Sequence, residues 1–226
     1  SATILPIRPD GSRPALHARG ASARWRISPA AQARACEGRI VHLGGVGSLL
    51  AMDGEPSRAL LADARKAGRT TTLDLISARA ETLALVEPLL PEVDFFMPSI
   101  DETAAMVGTH DPAACARFFL DKGAGACAIS LGGDGSFVMT RDGQAFTMPA
   151  FEVPVRDTTG CGDAYSGGFI AGLARGWTLP ECARLATATA ALVATGLGSG
   201  ANLVSFDETV NAMNSLPVRK PTCPLS

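Results

Sequence analysis

The chain has 226 residues, 46% of them hydrophobic and 19% charged, with a formal net charge of −2. That balance belongs to a globular chain able to bury a substantial core, as one large domain or two small ones. It gives no electrostatic reason to expect nucleic acid or an anionic membrane as a partner, and no run nears the roughly 18 apolar residues of a membrane span. Residues 2–27 read as short extended runs separated by turns. Asp10-Gly11 is a hairpin signal between two of them, and Trp25 sits in the last. From Pro29 onward, strands expected at 39–43, 70–75, 94–97 and 126–131 alternate with helices expected at 56–67, 78–89, 101–107, 112–122, 162–175 and 179–195. Leu60, Leu61, Ala64 and Ala67 share one helical face. Short apolar strands between helices imply a mostly parallel sheet covered on both faces. Residues 136–140 and 144–148, joined by Arg141-Asp142-Gly143, read as an antiparallel hairpin. The proline-rich tail from Pro217 is expected to be poorly ordered.

Six cysteines (Cys36, Cys115, Cys127, Cys161, Cys182, Cys223) are scattered without a Cys-x-x-Cys pair, which favours free thiols in a reducing compartment. With no signal peptide in view, a cytoplasmic location is expected. His17, His42 and His110 are isolated from one another and from the cysteines. No lysine follows a glycine, so the P-loop is absent, and Gly44-Gly45-Val46-Gly47 lacks the last glycine of a dinucleotide turn because position 50 is leucine. No Gly-x-Ser-x-Gly elbow offers a hydrolase nucleophile.

Chemistry concentrates in Asp157-Thr158-Thr159-Gly160-Cys161-Gly162-Asp163, which opens a helix of small residues. The first N–H groups of a helix have no internal partner and, with the helix dipole, can hold an anion. Asp163 in that first turn can accept a proton from a hydroxyl. Together they suit phosphoryl transfer to an alcohol, although a plain glycine turn with an acidic helix start explains the short form equally well. Ser130-Leu131-Gly132-Gly133-Asp134-Gly135 follows an apolar strand and lets backbone approach a ligand closely; an ordinary strand-to-hairpin turn is the other reading. Ser99-Ile100-Asp101-Glu102 is by itself a capping box. Asp74 ends a strand and either points into the crevice at the strand ends or caps a helix starting near Ala78.

Asp-Thr-Thr-Gly-x-Gly-Asp before a small-residue helix resembles the C-terminal signature of the ribokinase-like, or PfkB, carbohydrate kinases, and the likeness extends along most of the chain. It implies an α/β fold: a three-layer sandwich with a mostly parallel central sheet and a small, partial β lid. Residues 1–28 would be lid and substrate-side region, 29–216 the nucleotide-binding and catalytic domain, and 217–226 a tail. It also implies transfer of the ATP γ-phosphoryl group to a hydroxyl of a sugar or sugar-like substrate. Asp163 would be the base, with an anion hole from Gly160, Cys161 and Gly162. The Ser-Leu-Gly-x-x-Gly stretch would line the nucleotide through Ser130, Gly132, Gly133 and Gly135. Ser99 stands where the family has Asn, and Thr187 falls at an adenine-side position. Glu102 would organise Mg²⁺ through water. Asp157, Thr159, Gly196, Gly198 and Asn202 would surround a monovalent cation such as K⁺.

Family members carry a further N-terminal segment with a Gly-Gly-Asn-type sugar-binding signature that this sequence lacks. The 7–13 stretch resembles the second half of the lid, with Arg13 placed to meet a substrate phosphate or to stand exposed. The chain is therefore expected to be the catalytic part of a longer kinase or a nucleotide-binding remnant without activity; a related nucleoside kinase is the remaining reading. Lid-to-lid homodimers occur in the family, and the hairpin edge permits one here.

Overall fold

The computed structural model describes residues 1–6 and 16–220. The Asp10-Gly11 turn, the 7–13 lid stretch with Arg13, and Cys223 lie outside the described residues. β1 (Ala2–Ile4) pairs antiparallel with β2 (Leu16–Ala18), Ala2 opposite Ala18, as a separate two-stranded sheet. α1 (Pro29–Ala35) follows, its first turn capped by Ser28.

The main sheet has six strands, β3 (Ile40–Val46), β4 (Thr70–Leu75), β5 (Phe95–Phe96), β6 (Ala126–Ser130), β7 (Ser136–Thr140) and β8 (Ala145–Met148), which lie side by side in that order. The first four are parallel, and β7 pairs antiparallel with both β6 and β8. Its helices are α2 (Glu55–Lys66), α3 (Leu83–Val86), α4 (Ile100–Val107), α5 (Pro112–Asp121), α6 (Cys161–Leu173), α7 (Leu179–Ala194) and α8 (Phe206–Ser215). Strand alternation sorts side chains between two layers. On β6, Cys127 and Ile129 enter a core shared with Leu60 and Leu61 of α2 and Phe119 of α5, whereas Ala128 faces Tyr165 and Phe169 of α6 and Ala183 and Ala186 of α7. α8 closes a third cluster through Met213, against Phe151 and Leu185.

Several boundaries depart from expectation for identifiable reasons. The helix expected at 78–89 is broken into a 3₁₀ turn at Ala80–Thr82, the short α3, and a second 3₁₀ stretch at Glu87–Glu92. Pro88 and Pro91 cannot donate an N–H to a helical ladder. β3 runs on to Val46 across a register shift between Leu43 and Val46. α8 carries Phe206, Val210 and Met213 at helical spacing, too sparse a stripe to stand out, and starts on Ser205, whose Oγ accepts the Glu208 N–H at 3.2 Å. The tail also departs from expectation as far as it is described: Glu152 N–H donates to Pro217 O and Arg219 N–H to Ala150 O, both at 2.8 Å. Among the described residues, no helix is long and apolar enough to cross a membrane.

Candidate active site

The carboxyl ends of the parallel strands converge on the start of α6. Asp74 lies near the end of β4, Ser99 follows β5, and Ser130 ends β6; Ser99 and Ser130 form a parallel bridge. The turn before α6 depends on Gly160, which has φ +80°. A Cβ there would lie 2.6 Å from Cα and Cβ of Ser199, so a side chain would force the 157–160 turn and the 196–202 loop apart. Asp157 ties these two segments together. Its Oδ1 accepts the Thr159 N–H at 2.9 Å and the Thr159 hydroxyl at 2.7 Å, and its Oδ2 accepts the Gly198 N–H at 3.1 Å. Gly196 ends the last turn of α7, donating to Val193 O, and Asn202 Nδ2 donates to Thr195 Oγ1 at 2.8 Å. The expected monovalent-cation residues are thus neighbours, and their polar groups already form a staple between loops.

Among the described residues, those of this turn line two cavities. The larger, about 540 Å³, is lined by Ser99, Ser130, Gly132, Gly133, Gly135 and Thr187, together with Cys161 and Gly162. Every residue expected to touch the nucleotide therefore faces one space. Sequence reasoning missed its apolar wall: Phe151, Val153 and Val155 on one side, Ala190, Ala191 and Ala194 on the other. The i, i+2, i+4 spacing of the first three was the available signal. The smaller crevice, about 200 Å³, is lined by Asp74, Glu102, Gly160, Gly162 and Asp163. Ser99, Ser130, Gly162 and Tyr165 belong to both walls, so the apolar slot and the acidic crevice meet at the head of α6.

The acidic groups differ in their surroundings. Asp163 is exposed at the crevice opening. Glu102 forms the capping box that its spacing allowed: its Oε2 accepts both the N–H and the hydroxyl of Ser99 at 2.8 Å. Asp74 is buried and accepts the Ser166 hydroxyl of α6 at 2.8 Å and the Leu75 N–H at 2.7 Å. Burial pushes its carboxyl up to about 7; those two hydrogen bonds oppose the rise, and the charges of Glu102 and Asp163 add to it. Asp74 faces the crevice and does not cap a helix: the 3₁₀ turn near Ala78 starts at Ala80 with Arg79 as its N-cap, and the Asp74 carboxylate is taken by Ser166 and Leu75.

The N–H groups expected to form an anion hole differ in their partners. Cys161 N–H donates to Thr158 O at 3.2 Å, closing the turn, and Cys161 Sγ points to Ala190 O at 3.5 Å. Among the described residues, the N–H groups of Gly160 and Gly162 have no backbone acceptor of this kind. Described His, Cys, Asp and Glu side chains form no group of three or more suited to a metal ion.

The family model for the pfkB family carbohydrate kinases matches residues 7–205. The ATP-dependent 6-phosphofructokinase of Thermoanaerobacterium thermosaccharolyticum is 32% identical over 131 residues, 58% of this chain and 40% of that protein. The 2-dehydro-3-deoxygluconokinase of Bacillus subtilis is 28% identical over 164 residues, 70% of this chain and 50% of that protein. This chain thus spans half or less of these curated relatives. In fold, it superposes on Arabidopsis thaliana ribokinase, complexed with ribose and ATP, with a TM-score of 0.78 at 20% identity, covering 93% of this chain and 68% of that one. The six-stranded sheet between helical layers, with its small antiparallel pair, is the ribokinase-like fold, and the chain belongs to the pfkB family carbohydrate kinases.

Proposed function

We propose that this chain holds ATP and the catalytic base of a kinase that phosphorylates a hydroxyl of a sugar or sugar-like substrate. The observation that carries this reading is the meeting of the two cavities at Gly162, one an apolar slot edged by glycines, the other a crevice holding Asp163. The apolar wall suits a nucleoside, and the head of α6 suits phosphates. Names among the relatives fit this chemistry, since two are sugar-acid or sugar-phosphate kinases and a neighbour in fold was crystallised with ribose and ATP.

In this reading Asp163 takes the proton of the acceptor hydroxyl, while the Gly160 and Gly162 N–H groups stabilise charge on the transferring phosphoryl. Such chemistry depends on positioning and electrostatics more than on covalent steps. Glu102 is the carboxylate in this wall that would hold Mg²⁺ through water; with so few protein donors, most of the ion's ligands would be phosphate and water. Bound there, Mg²⁺ would neutralise phosphate charge. The Asp157 and Gly198 loops would accommodate a monovalent cation such as K⁺ through carbonyls. Residues 29–216 would form the nucleotide-binding and catalytic domain, with 1–28 on the substrate side.

The test is Asp163→Asn in the whole protein, assayed for phosphate transfer across sugars, sugar phosphates and nucleosides. Folding and ATP binding are expected to survive while turnover falls by roughly 10²–10⁴. Turnover near wild type would overturn Asp163 as the base.

A further inference from the structure

After α8 the chain turns back and lays a short extended strap along 150–152. Val218 bridges Phe151, and the two backbone hydrogen bonds of Pro217 and Arg219 fix its register. Residues 150–152 wall the larger cavity, so the strap sits on its rim and delivers the Arg219 side chain into it. The guanidinium lies over the glycine turn: a Cβ placed on Gly133 would be 2.6 Å from Nη1 and 3.5 Å from Cζ of Arg219. Among the described residues no ion pair or side-chain hydrogen bond holds it there. Among the described residues, the other charged ones lining this cavity are Asp101 and Glu152, both acidic. Among the described lining residues Arg219 is the one cationic side chain that a polyphosphate would meet, and a buried or partly buried anion needs a partner. The strap also lies beyond residue 205, where the family match ends, so the general properties of the family do not assign it a role.

We infer that Arg219 binds the anionic phosphates of the nucleotide held in this cavity, the strap acting as its carrier. This rests on the nucleotide reading of the cavity given above. A planar guanidinium suits the task because it can donate two parallel hydrogen bonds to phosphate oxygens. Its anchoring is by backbone, so removing the side chain leaves the strap's own hydrogen bonds in place.

The experiment measures ATP and adenosine affinities of the whole protein by titration calorimetry, for wild type, Arg219→Ala and Arg219→Lys. Arg219→Ala should weaken ATP roughly tenfold, the size of one charge-assisted contact discounted for exposure. Adenosine affinity should stay unchanged, and Arg219→Lys should recover part of the loss, because it keeps the charge without the fork. Raising ionic strength should narrow the gap between wild type and Arg219→Ala. ATP affinity within twofold of wild type in Arg219→Ala would overturn the assignment, as would an equal loss for adenosine. A wild-type protein that binds neither ligand would instead overturn the nucleotide reading itself, and the inference with it.

Discussion

Asp74 offers a measurement that isolates one buried group. Its carboxyl is pushed from an ordinary 3.8 to about 7, chiefly by burial. Between those values the folded chain keeps a proton that the unfolded chain has released. Stability from this group is therefore lost as pH rises from 3.8 to about 7, and stays lost above it. At about 1.4 kcal/mol per pH unit, the window amounts to on the order of 4 kcal/mol. Asp74→Asn removes the titration while keeping the shape. It also alters the hydrogen bonds from Ser166 and Leu75, but that change adds a constant offset and no slope. Denaturant unfolding of both proteins from pH 4 to pH 8 is the assay. The variant should gain on wild type steadily across the window, then hold its advantage. A stability difference independent of pH would refute the reasoning, whatever its size.

Two further outcomes follow from the head of α6. Gly160→Ala places a Cβ against Ser199 in a left-handed backbone, and should destabilise the fold by about 2 kcal/mol or more while weakening ATP; unfolding within ~0.5 kcal/mol of wild type would contradict the close approach seen here. Half-buried Cys161 lines the larger cavity, so if that cavity takes the nucleotide, alkylation of the thiol by a maleimide should be slowed by ATP, and an equal rate with and without ATP would place the thiol outside the ligand's reach.

Much of this site was legible because glycines and carboxylates at fixed spacing mark where backbone must approach a ligand or turn sharply. Residues of the 158–163 stretch, the glycines at 132–135 and Glu102 converge on adjoining walls, as the family resemblance implied. Two things were hidden. Asp74 could be read as a cap or as a crevice residue, since only tertiary packing brings Ser166 of α6 over it. Arg219 carries no sequence signal at all: its place at the cavity depends on a strap folding back onto residues 150–152, a pairing between segments far apart in the chain. The broken helix at 80–92 was legible in principle, from Pro88 and Pro91, had the prolines been weighed above the apolar period.

The small residues of α6 also explain why Asp163, the proposed base, and the wall of the larger cavity keep a fixed relation. A Cβ on Gly168 would fall 2.5 Å from Thr189 Oγ1 and 2.7 Å from Ala186 Cα, so α6 lies directly against α7 there. α6 holds Asp163 at its first turn, and α7 presents Thr187, Ala190, Ala191 and Ala194 to the larger cavity. With no side chain at Gly168 to space the helices, there is little room to slide one past the other without a clash. Asp74 adds a second tether, from the sheet to Ser166 one turn below the base. The distance between Asp163 and the wall of the larger cavity is thus set by a packed helix seam and a buried hydrogen bond. The surface loops at 157–160 and 196–202 are joined to each other by the hydrogen bonds of Asp157.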